Sequence, residues 1–279
     1  LPFTVQLTEQ GVQPGDSCLL AVMTDNSDDK NFPPGKRQYT LDFAYHGGIY
    51  RDVWMIGKSS VAITDALEAD KVAGGGVFVH FDNISGKKAE VYVDTEVHNS
   101  GKRTRTVAVE TVLADAGDVP VKRISQQVKL QAGESKTVRQ QFAVRNPKLW
   151  SPDSPYLYRI QSRVKAGHEV LDGGVTRVGI RKAEFKGKDG FWLNGKPFGQ
   201  LVGANRHQDF AYVGNALPNS QQWRDAKRLR DAGCTIIRVA HYPQDPAFMD
   251  ACDEMGLFVI VATPGWEYWD KNPEFGKLG

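Results

Sequence analysis

The sequence predicts a multidomain protein, all-β at first and α/β at its end. A β-rich stretch covers residues 1–57, an immunoglobulin-like β-sandwich covers 58–181, and the first part of a (β/α)8 barrel covers 182–279. Three observations carry this reading. Period-two alternation of apolar and polar residues recurs from Val77 to Val164, with turn residues between the runs. After residue 182 the runs alternate between strand-like and helix-like. The strand-like runs near 203 and 235 both break into loops that carry an Arg and a His, in Gly203-Ala-Asn-Arg-His-Gln-Asp209 and Arg238-Val-Ala-His-Tyr-Pro243. Polar groups at the ends of successive parallel strands are how an α/β barrel builds an active site.

In residues 1–57, Phe3-Thr-Val-Gln-Leu alternates and Cys18-Leu-Leu-Ala-Val-Met reads as a buried strand. The turn-rich stretch from Glu9 to Asp16 separates them, and a polar loop from Asp25 to Gly35 follows. Two or three strands do not make a sheet with a covered face. In the second zone, strands are expected at 77–81, 89–97, 106–113, 121–130, 137–144 and 156–164. Asn83-Ile-Ser-Gly86, Asn99-Ser-Gly101 and Ala132-Gly133 supply turns between them. Roughly seven short strands in about 100 residues describe an immunoglobulin-like sandwich, here without a Cys…Trp…Cys framework. Gly74-Gly-Gly76 reads as a flexible turn, because no helix follows to make it a phosphate cradle.

The third zone opens on a hairpin, Phe191-Trp-Leu-Asn-Gly-Lys-Pro, with Asn194-Gly195 as its turn. Leu201-Val-Gly-Ala is a short strand. A helix is expected from an N-cap at Ser220 through Ala232, with Trp223, Ala226 and Leu229 inward and Gly233 ending it. Thr235-Ile-Ile-Arg-Val-Ala is the next strand. Asp245-Pro246 opens a second helix whose inner face is Phe248, Cys252 and Met255, and Gly256 closes it. Leu257-Phe-Val-Ile-Val-Ala is a third strand, before Pro264-Gly-Trp-Glu-Tyr-Trp269. Strand, helix, strand, helix, strand with short links means parallel βαβ units. The absence of a Gly-rich loop after the first strand disfavours a nucleotide fold and leaves the barrel.

Composition narrows the partners. The 35 basic residues nearly balance the 33 acidic ones, so nothing points to nucleic acid. No apolar run is long enough to cross a membrane as a helix. Cys18, Cys234 and Cys252 have no metal-ligand spacing and read as small buried hydrophobes rather than disulfides. Asn83-Ile-Ser85 is a lone glycosylation sequon. Leu1-Pro-Phe-Thr has neither an initiator Met nor the charged start and apolar run of a signal, so it is expected to be a processed or truncated end. Localisation stays open, with bacterial cytoplasm and periplasm both compatible.

Four segments in order resemble glycoside hydrolase family 2, the family of β-galactosidases, β-glucuronidases and β-mannosidases. Gly47-Gly-Ile-Tyr-Arg-Asp-Val-Trp54 resembles the close of its N-terminal jelly-roll domain, which makes residues 1–57 the end of a sugar-binding jelly roll. Asn146-Pro-Lys-Leu-Trp-Ser-Pro-Asp-Ser-Pro-Tyr-Leu-Tyr158 resembles a late strand of its immunoglobulin-like domain. The two Arg/His segments resemble the ends of its first and second barrel strands. Asn-Arg-His-Gln-Asp, followed by Pro264-Gly-Trp266, is most similar to the β-galactosidase branch.

The resemblance implies a retaining exo-glycosidase, which works with two carboxyl groups about 5–5.5 Å apart. In the family both are glutamates, the acid/base in an Asn-Glu pair at the fourth barrel strand and the nucleophile beyond it. This sequence has no Asn-Glu dipeptide, and Glu267 and Glu274 come too early in the order. No catalytic residue is therefore expected here; both glutamates are expected downstream of Gly279, and the segment by itself is expected to be inactive. The substrate-binding half remains. His207 and His241 match family histidines that hydrogen-bond sugar hydroxyls, and a neutral imidazole can donate and accept at once. Arg238 matches an arginine on the pocket floor, suited to orient a hydroxyl or to hold a carboxylate ionised. Asn205 adds an amide, Trp266 offers an aromatic face to a sugar, and Asp42 matches a jelly-roll position that reaches a sugar hydroxyl. No cofactor is expected: where some relatives carry a metal-binding glutamate, this sequence reads Ala262-Thr-Pro264, which puts a magnesium site in doubt.

Each residue also has a plain structural reading. A single His after a strand is usually a satisfied structural residue, but two at matching ends of neighbouring strands favour a site. Arg206 and Arg238 fit buried ion pairs, a role favoured for Arg206. Trp266 fits core packing equally well, and Asp42 fits a loop cap. Arg51, Asp52 and Trp150 read as interface and core residues. The expected partner is a β-galactoside or related oligosaccharide, with a homo-oligomer of the parent enzyme compatible. The alternatives are a β-glucuronidase or β-mannosidase of the same family, or a non-catalytic carbohydrate-binding or scaffold β-sandwich protein.

Overall fold

The computed structural model describes residues 3–28, 44 and 46–262. Asp42, Trp266 and the loop from Pro264 to Trp269 lie outside the described residues. The chain divides into two compact units, Leu1–Leu19 with Met55–Gly199 and Leu20–Trp54 with Gln200–Gly279.

The first unit holds the sandwich. Its strands are β1 (Val61–Ile63), β2 (Val77–Asp82), β3 (Lys88–Asn99), β4 (Arg105–Ala114), β5 (Pro120–Leu130), β6 (Ser135–Arg145), β7 (Tyr158–Ala166) and β8 (Glu169–Val178), with the short helix α1 (Ala66–Ala69) after β1. One four-stranded sheet is built around β3, which pairs antiparallel with β1, β2 and β6. The other runs β5-β4-β7-β8, also antiparallel. Alternation decides which side chains enter the core: Val91 and Val93 of β3 are sealed against Leu113, Phe142 and Ile160. Val97, Val107, Val109 and Val164 form a second cluster farther along the same two sheets.

Sequence reasoning missed β1 and β8. Glu169–Val178 carries Gly173-Gly174 in its middle, which reads as a break. Gly173 is there because a Cβ would sit 2.8 Å from the Ser162 carbonyl oxygen of β7, so the glycine lets the strands approach. The Gly74–Gly76 turn is also better defined than a flexible linker, since a Cβ on Gly75 would meet Ala69 of α1 at 2.7 Å. Trp150 is buried, donates its backbone N–H to the Ile180 carbonyl at 2.8 Å, and stacks under Arg181 at 4.8 Å. It is a core residue, as read above.

On β3 and β6, Asp94 accepts from Arg139 Nε at 2.7 Å and from its Nη2 at 2.5 Å. The Arg139 guanidinium holds the Asp94 carboxyl below the usual aspartate value. A carboxyl with a depressed folded-state pKa stabilises above the unfolded value of about 3.9 and loses that contribution as pH falls through the folded value. Asp94→Asn is therefore expected to lower Tm by about 1–3 °C at pH 7, since the arginine is solvent-exposed. Thermal melts at pH 7 and pH 2.5 check this: the gap between variant and parent should close at the lower pH.

The strands expected at Phe3-Thr-Val-Gln-Leu and Cys18-Leu-Leu-Ala-Val-Met are not formed. The described part of residues 3–57 carries one 3-10 turn, Leu7–Gln10, and no strand. Alternation supplies a face, but a strand also needs a hydrogen-bonded neighbour, and none pairs with these segments among the described residues. Leu19 and Met23 are exposed accordingly. Cys18 is exposed rather than buried, Cys234 is half-buried and Cys252 is buried, and all three thiols are free. Burial pushes the Cys252 thiol up to about 12, so it behaves as a small apolar side chain.

A small antiparallel sheet of β9 (Ala183–Phe185), β10 (Phe191–Leu193) and β11 (Lys196–Pro197) closes the first unit. Asn194 and Gly195 both take positive φ, 53° and 79°, as a two-residue hairpin turn requires.

In the second unit, β12 (Gly203–Arg206), β13 (Ile236–Val239) and β14 (Phe258–Val261) form a parallel sheet in that order. The helices α2 (Asn219–Asp231) and α3 (Pro246–Met255) connect them. Ala226, Ile237, Val239, Phe248, Ala251, Cys252 and Leu257 make the core between sheet and helices, with Trp223, Leu229 and Met255 packed on it. Asp245 caps α3 by accepting from Ala247 N at 2.9 Å, and Gly256 ends it at φ 75°. The N-cap of α2 lies two residues before the expected one: Pro218 occupies it, so Ser220 lies in the first turn. The first strand begins at Gly203 rather than Leu201, because Val202 is held by Thr235. Its N–H donates to Thr235 Oγ1 at 3.0 Å, and its carbonyl accepts from both Thr235 N and Ile236 N. No helix among the described residues is long and apolar enough to cross a membrane.

Candidate active site

Parallel pairing puts the ends of β12 and β13 side by side. Gly203 pairs with Ile236, Asn205 with Arg238 and Arg206 with Val239. The pleat then sorts the side chains. Arg206 shares its face with Ile237 and Val239, towards α2 and α3, while Asn205 and Arg238 share the opposite face. Beyond the paired ends, His207 comes one residue after Arg206 and His241 two residues after Val239. Their ring centroids are 5.5 Å apart at 78°, edge to face, and His207 lies 6.2 Å from the Tyr242 ring. Both imidazoles are half-buried. The Ala240–His241 peptide is cis.

What fixes these loops is a set of cross-braces between them. Arg206 is buried; its guanidinium donates to Gln244 Oε1 at 2.5 Å, to Gln222 Oε1 at 2.9 Å and to Asp225 Oδ2 at 2.6 Å. It lies over the Phe248 ring at 4.0 Å. Gln244 returns a hydrogen bond from Nε2 to the Arg206 carbonyl. Gln208 N donates to the Tyr242 hydroxyl at 3.2 Å, and Gln208 Oε1 accepts from Asp245 N at 3.0 Å. Burial raises the Tyr242 phenol above its usual value, with the Gln208 hydrogen bond opposing. From the preceding segment, Arg51 Nη2 donates to the Pro243 carbonyl at 2.6 Å and Asp52 accepts from Asn219 at 3.3 Å. Arg206 thus has the structural role favoured for it, and Arg51 and Asp52 act as braces.

Arg238 differs from Arg206. It is half-buried, it forms no ion pair among the described residues, and it lies beside the exposed Asn205 on the face away from the helices. Four of the six expected binding residues therefore gather at one sheet end: Asn205 and Arg238 on one strand face, His207 and His241 in the loops above. Asp42 and Trp266 lie outside the described residues. Sequence reasoning did not single out Tyr242, Gln208 or Gln244, though all three sit within or beside the two motifs. Their roles depend on which side chain meets which across the strands. Among the described residues no three His, Cys, Asp or Glu side chains converge as metal ligands would.

A β-sandwich is thus followed by three parallel strands linked by two helices, as at the start of an α/β barrel. Residues 76–181 match the model of glycosyl hydrolases family 2, and residues 184–273 match the TIM barrel domain of the same family. The chain belongs to glycosyl hydrolases family 2. It is similar to a β-galactosidase from Thermoanaerobacter pseudethanolicus, 33% identical over 96% of this chain and 34% of that protein. It is also similar to a β-galactosidase from Thermoanaerobacterium thermosulfurigenes, 31% identical over 99% of this chain and 36% of that one. Among solved structures, Bacteroides uniformis β-glucuronidase superposes with a TM-score of 0.79 at 28% identity, covering 91% of this chain and 30% of that one. The chain thus spans about a third of the length of these relatives.

Proposed function

We propose that this chain is the glycon-gripping part of a retaining exo-glycosidase acting on terminal β-galactosides. The observation that supports this most is the His207–His241 pair, 5.5 Å apart at the ends of adjacent parallel strands. Two imidazoles set edge to face offer their ring nitrogens to neighbouring hydroxyls of one sugar ring. Asn205 and Arg238 extend the polar surface along the strands. The bond-breaking carboxyl pair is not among the residues proposed here. The sequence contains no Asn-Glu dipeptide, so a chromogenic β-galactoside should not be turned over by residues 1–279.

A β-glucuronide is the second reading. Arg238 carries a cation with no anionic partner among the described residues, which suits a sugar carboxylate, and a β-glucuronidase is among the similar structures. Calorimetric titration with methyl β-galactoside and methyl β-glucuronide separates the two. His207→Ala and His241→Ala should each weaken the preferred glycoside about tenfold or more. Arg238→Gln should weaken the glucuronide far more than the galactoside if the second reading holds. Unchanged affinity in both histidine variants would remove the proposal.

A further inference from the structure

The sandwich in the first unit presents two outer sheet faces of different charge. Register fixes which side chains share a face, because directly paired residues of neighbouring strands point the same way. On the β3 sheet, Lys88, Arg139 and Arg145 stand among Asp82, Glu90, Asp94 and Glu96. On the β5-β4-β7-β8 sheet, Arg123, Lys129, Arg159, Arg163, Lys165 and Arg177 stand around the buried carboxylate of Glu110. Glu110 Oε2 accepts from Arg123 Nη1 at 3.2 Å and lies 3.9 Å from Lys165 Nζ, and its Oε1 lies 3.5 Å from Arg163 Nη1. One carboxylate shared among these cations leaves the cluster positive. The Glu110 side chain is 9% exposed, against 56% for Arg123 and 41% for Arg163, so the positive groups meet solvent. Farther along, Arg159 and Arg177 sit directly opposite each other on β7 and β8, an arrangement of like charge that disfavours the sheet. Arg159 also reaches Asp118 in the turn after β4 at 3.5 Å. At the other side β5 is the last strand of its sheet, and beside it runs an open groove of about 700 Å³ against β6, where Lys122 and Arg145 bring further positive charge.

Like charge gathered on one face raises the local potential and draws anions to it. The whole chain has a formal charge of only +2, so the concentration is local. Strands about 4.8 Å apart make the face about 14 Å wide, and along β7 the cations at 159, 163 and 165 recur at about 7 and 13 Å. Such rows match charges repeated along an extended polymer. Ser125, Gln127 and Gln161 lie on the same face between the cations and offer hydrogen bonds to hydroxyls. None of the described strand residues on this face is aromatic, so stacked bases of a single-stranded nucleic acid would find no platform. We propose that the outer face of this sheet docks an acidic polysaccharide, a glycan chain with a uronic carboxylate on successive sugars. Arg123, Arg163 and Lys165 are its principal contacts, since guanidinium forks pair with carboxylates bidentately. Glu110 holds those side chains in place and moderates their charge. The proposal is independent of the histidine pair, which belongs to the second unit.

The test titrates the 279-residue chain with polygalacturonate, with dextran as the uncharged control and with duplex DNA of the same total charge. Polygalacturonate should bind, and its affinity should fall about tenfold as salt rises from about 50 to about 300 mM. Dextran should not bind, and the duplex should bind about tenfold more weakly than polygalacturonate or worse. Arg163→Gln should weaken polygalacturonate about threefold, and Arg123→Gln combined with it about tenfold. Lys165 still faces Glu110 in both variants, so the carboxylate keeps a partner. Glu110→Gln should tighten binding about threefold, because it removes a negative charge and leaves the cations. Arg139→Gln, on the other sheet, should change nothing. In the unsubstituted chain, backbone amide signals of β5 and β7 should move as polymer is added while those of β3 hold, which reads the site without any substitution. Absent binding, equal affinity for the duplex, or affinity indifferent to salt or to the Arg123/Arg163 double substitution overturns the docking face. A Glu110→Gln chain that melts as the parent does yet binds no tighter also overturns it. Signals that move only at His207 and His241 overturn it too, and leave the histidine reading standing.

Discussion

Replacing Arg206 with alanine is expected to destabilise the second unit by about 3 kcal/mol and to take glycoside binding down with it. The side chain is 6% exposed and holds one carboxylate and two amide oxygens at once. Removing it leaves Asp225, Gln222 and Gln244 facing a void over Phe248. An uncompensated buried charge is costlier than the pair it came from was stabilising. Asp225 keeps some access to water, which places the loss at the lower end of the range for broken buried pairs. The effect should reach the site because Gln244 sits in the loop that carries His241 and bonds back to the Arg206 carbonyl, one residue before His207. Arg206→Lys keeps the charge but cannot supply the planar fork, so an intermediate loss is expected. Urea unfolding followed by hydrogen exchange at Ile237, Arg238 and Val239 measures it. Full protection of those amides in the alanine variant would count against the brace.

Gly203→Ala should be comparably damaging for a different reason. A Cβ at Gly203 would lie 1.7 Å from the Ile236 carbonyl oxygen and 2.9 Å from Ile236 Cγ2. The first of these is backbone, so no side-chain rotation relieves it. β12 and β13 must separate where their ladder begins. A loss of about 3 kcal/mol or more is expected, beyond ordinary overpacking. Gly174→Ala on β8 is the control, since nothing lies within 4 Å of its Cβ position. It should change stability by less than about 0.5 kcal/mol. Hydrogen exchange reads the difference: protection at Gly203 and Ile236 to Val239 should fall in the first variant and hold in the second. The sandwich amides of β3 and β4, in the other unit, should be indifferent to Gly203→Ala.

How much of this was legible in the sequence depended on whether the signal was local. Asp245-Pro246 announces α3 because the cap is a side chain bonding two residues ahead. α2 lacks that signal: its N-cap is Pro218, which makes no side-chain hydrogen bond, and Ser220 was the nearest plausible capping residue. The sandwich strands alternate clearly because each buries one face, but β8 hides behind Gly173, whose purpose is visible only once β7 lies against it. Alternation at Phe3-Thr-Val-Gln-Leu misled for the converse reason, since no neighbour pairs with it among the described residues.

The two histidines were legible because each lies within a recognisable motif at the end of a strand-like run. Their spacing was not, because it is set by Arg206, Gln208, Gln244 and Tyr242 reaching across from one loop to the other. The seat of Gly214 against the His46 ring was invisible to sequence reasoning, because the two residues are far apart in the chain.

The most direct test of the central claim is a crystal structure of the chain soaked with its preferred methyl β-glycoside. The sugar ring is expected against His207 and His241, with each imidazole within about 3.2 Å of a hydroxyl and with Asn205 and Arg238 lining the same side. A glycoside bound elsewhere, with both imidazoles out of hydrogen-bond reach, would contradict it.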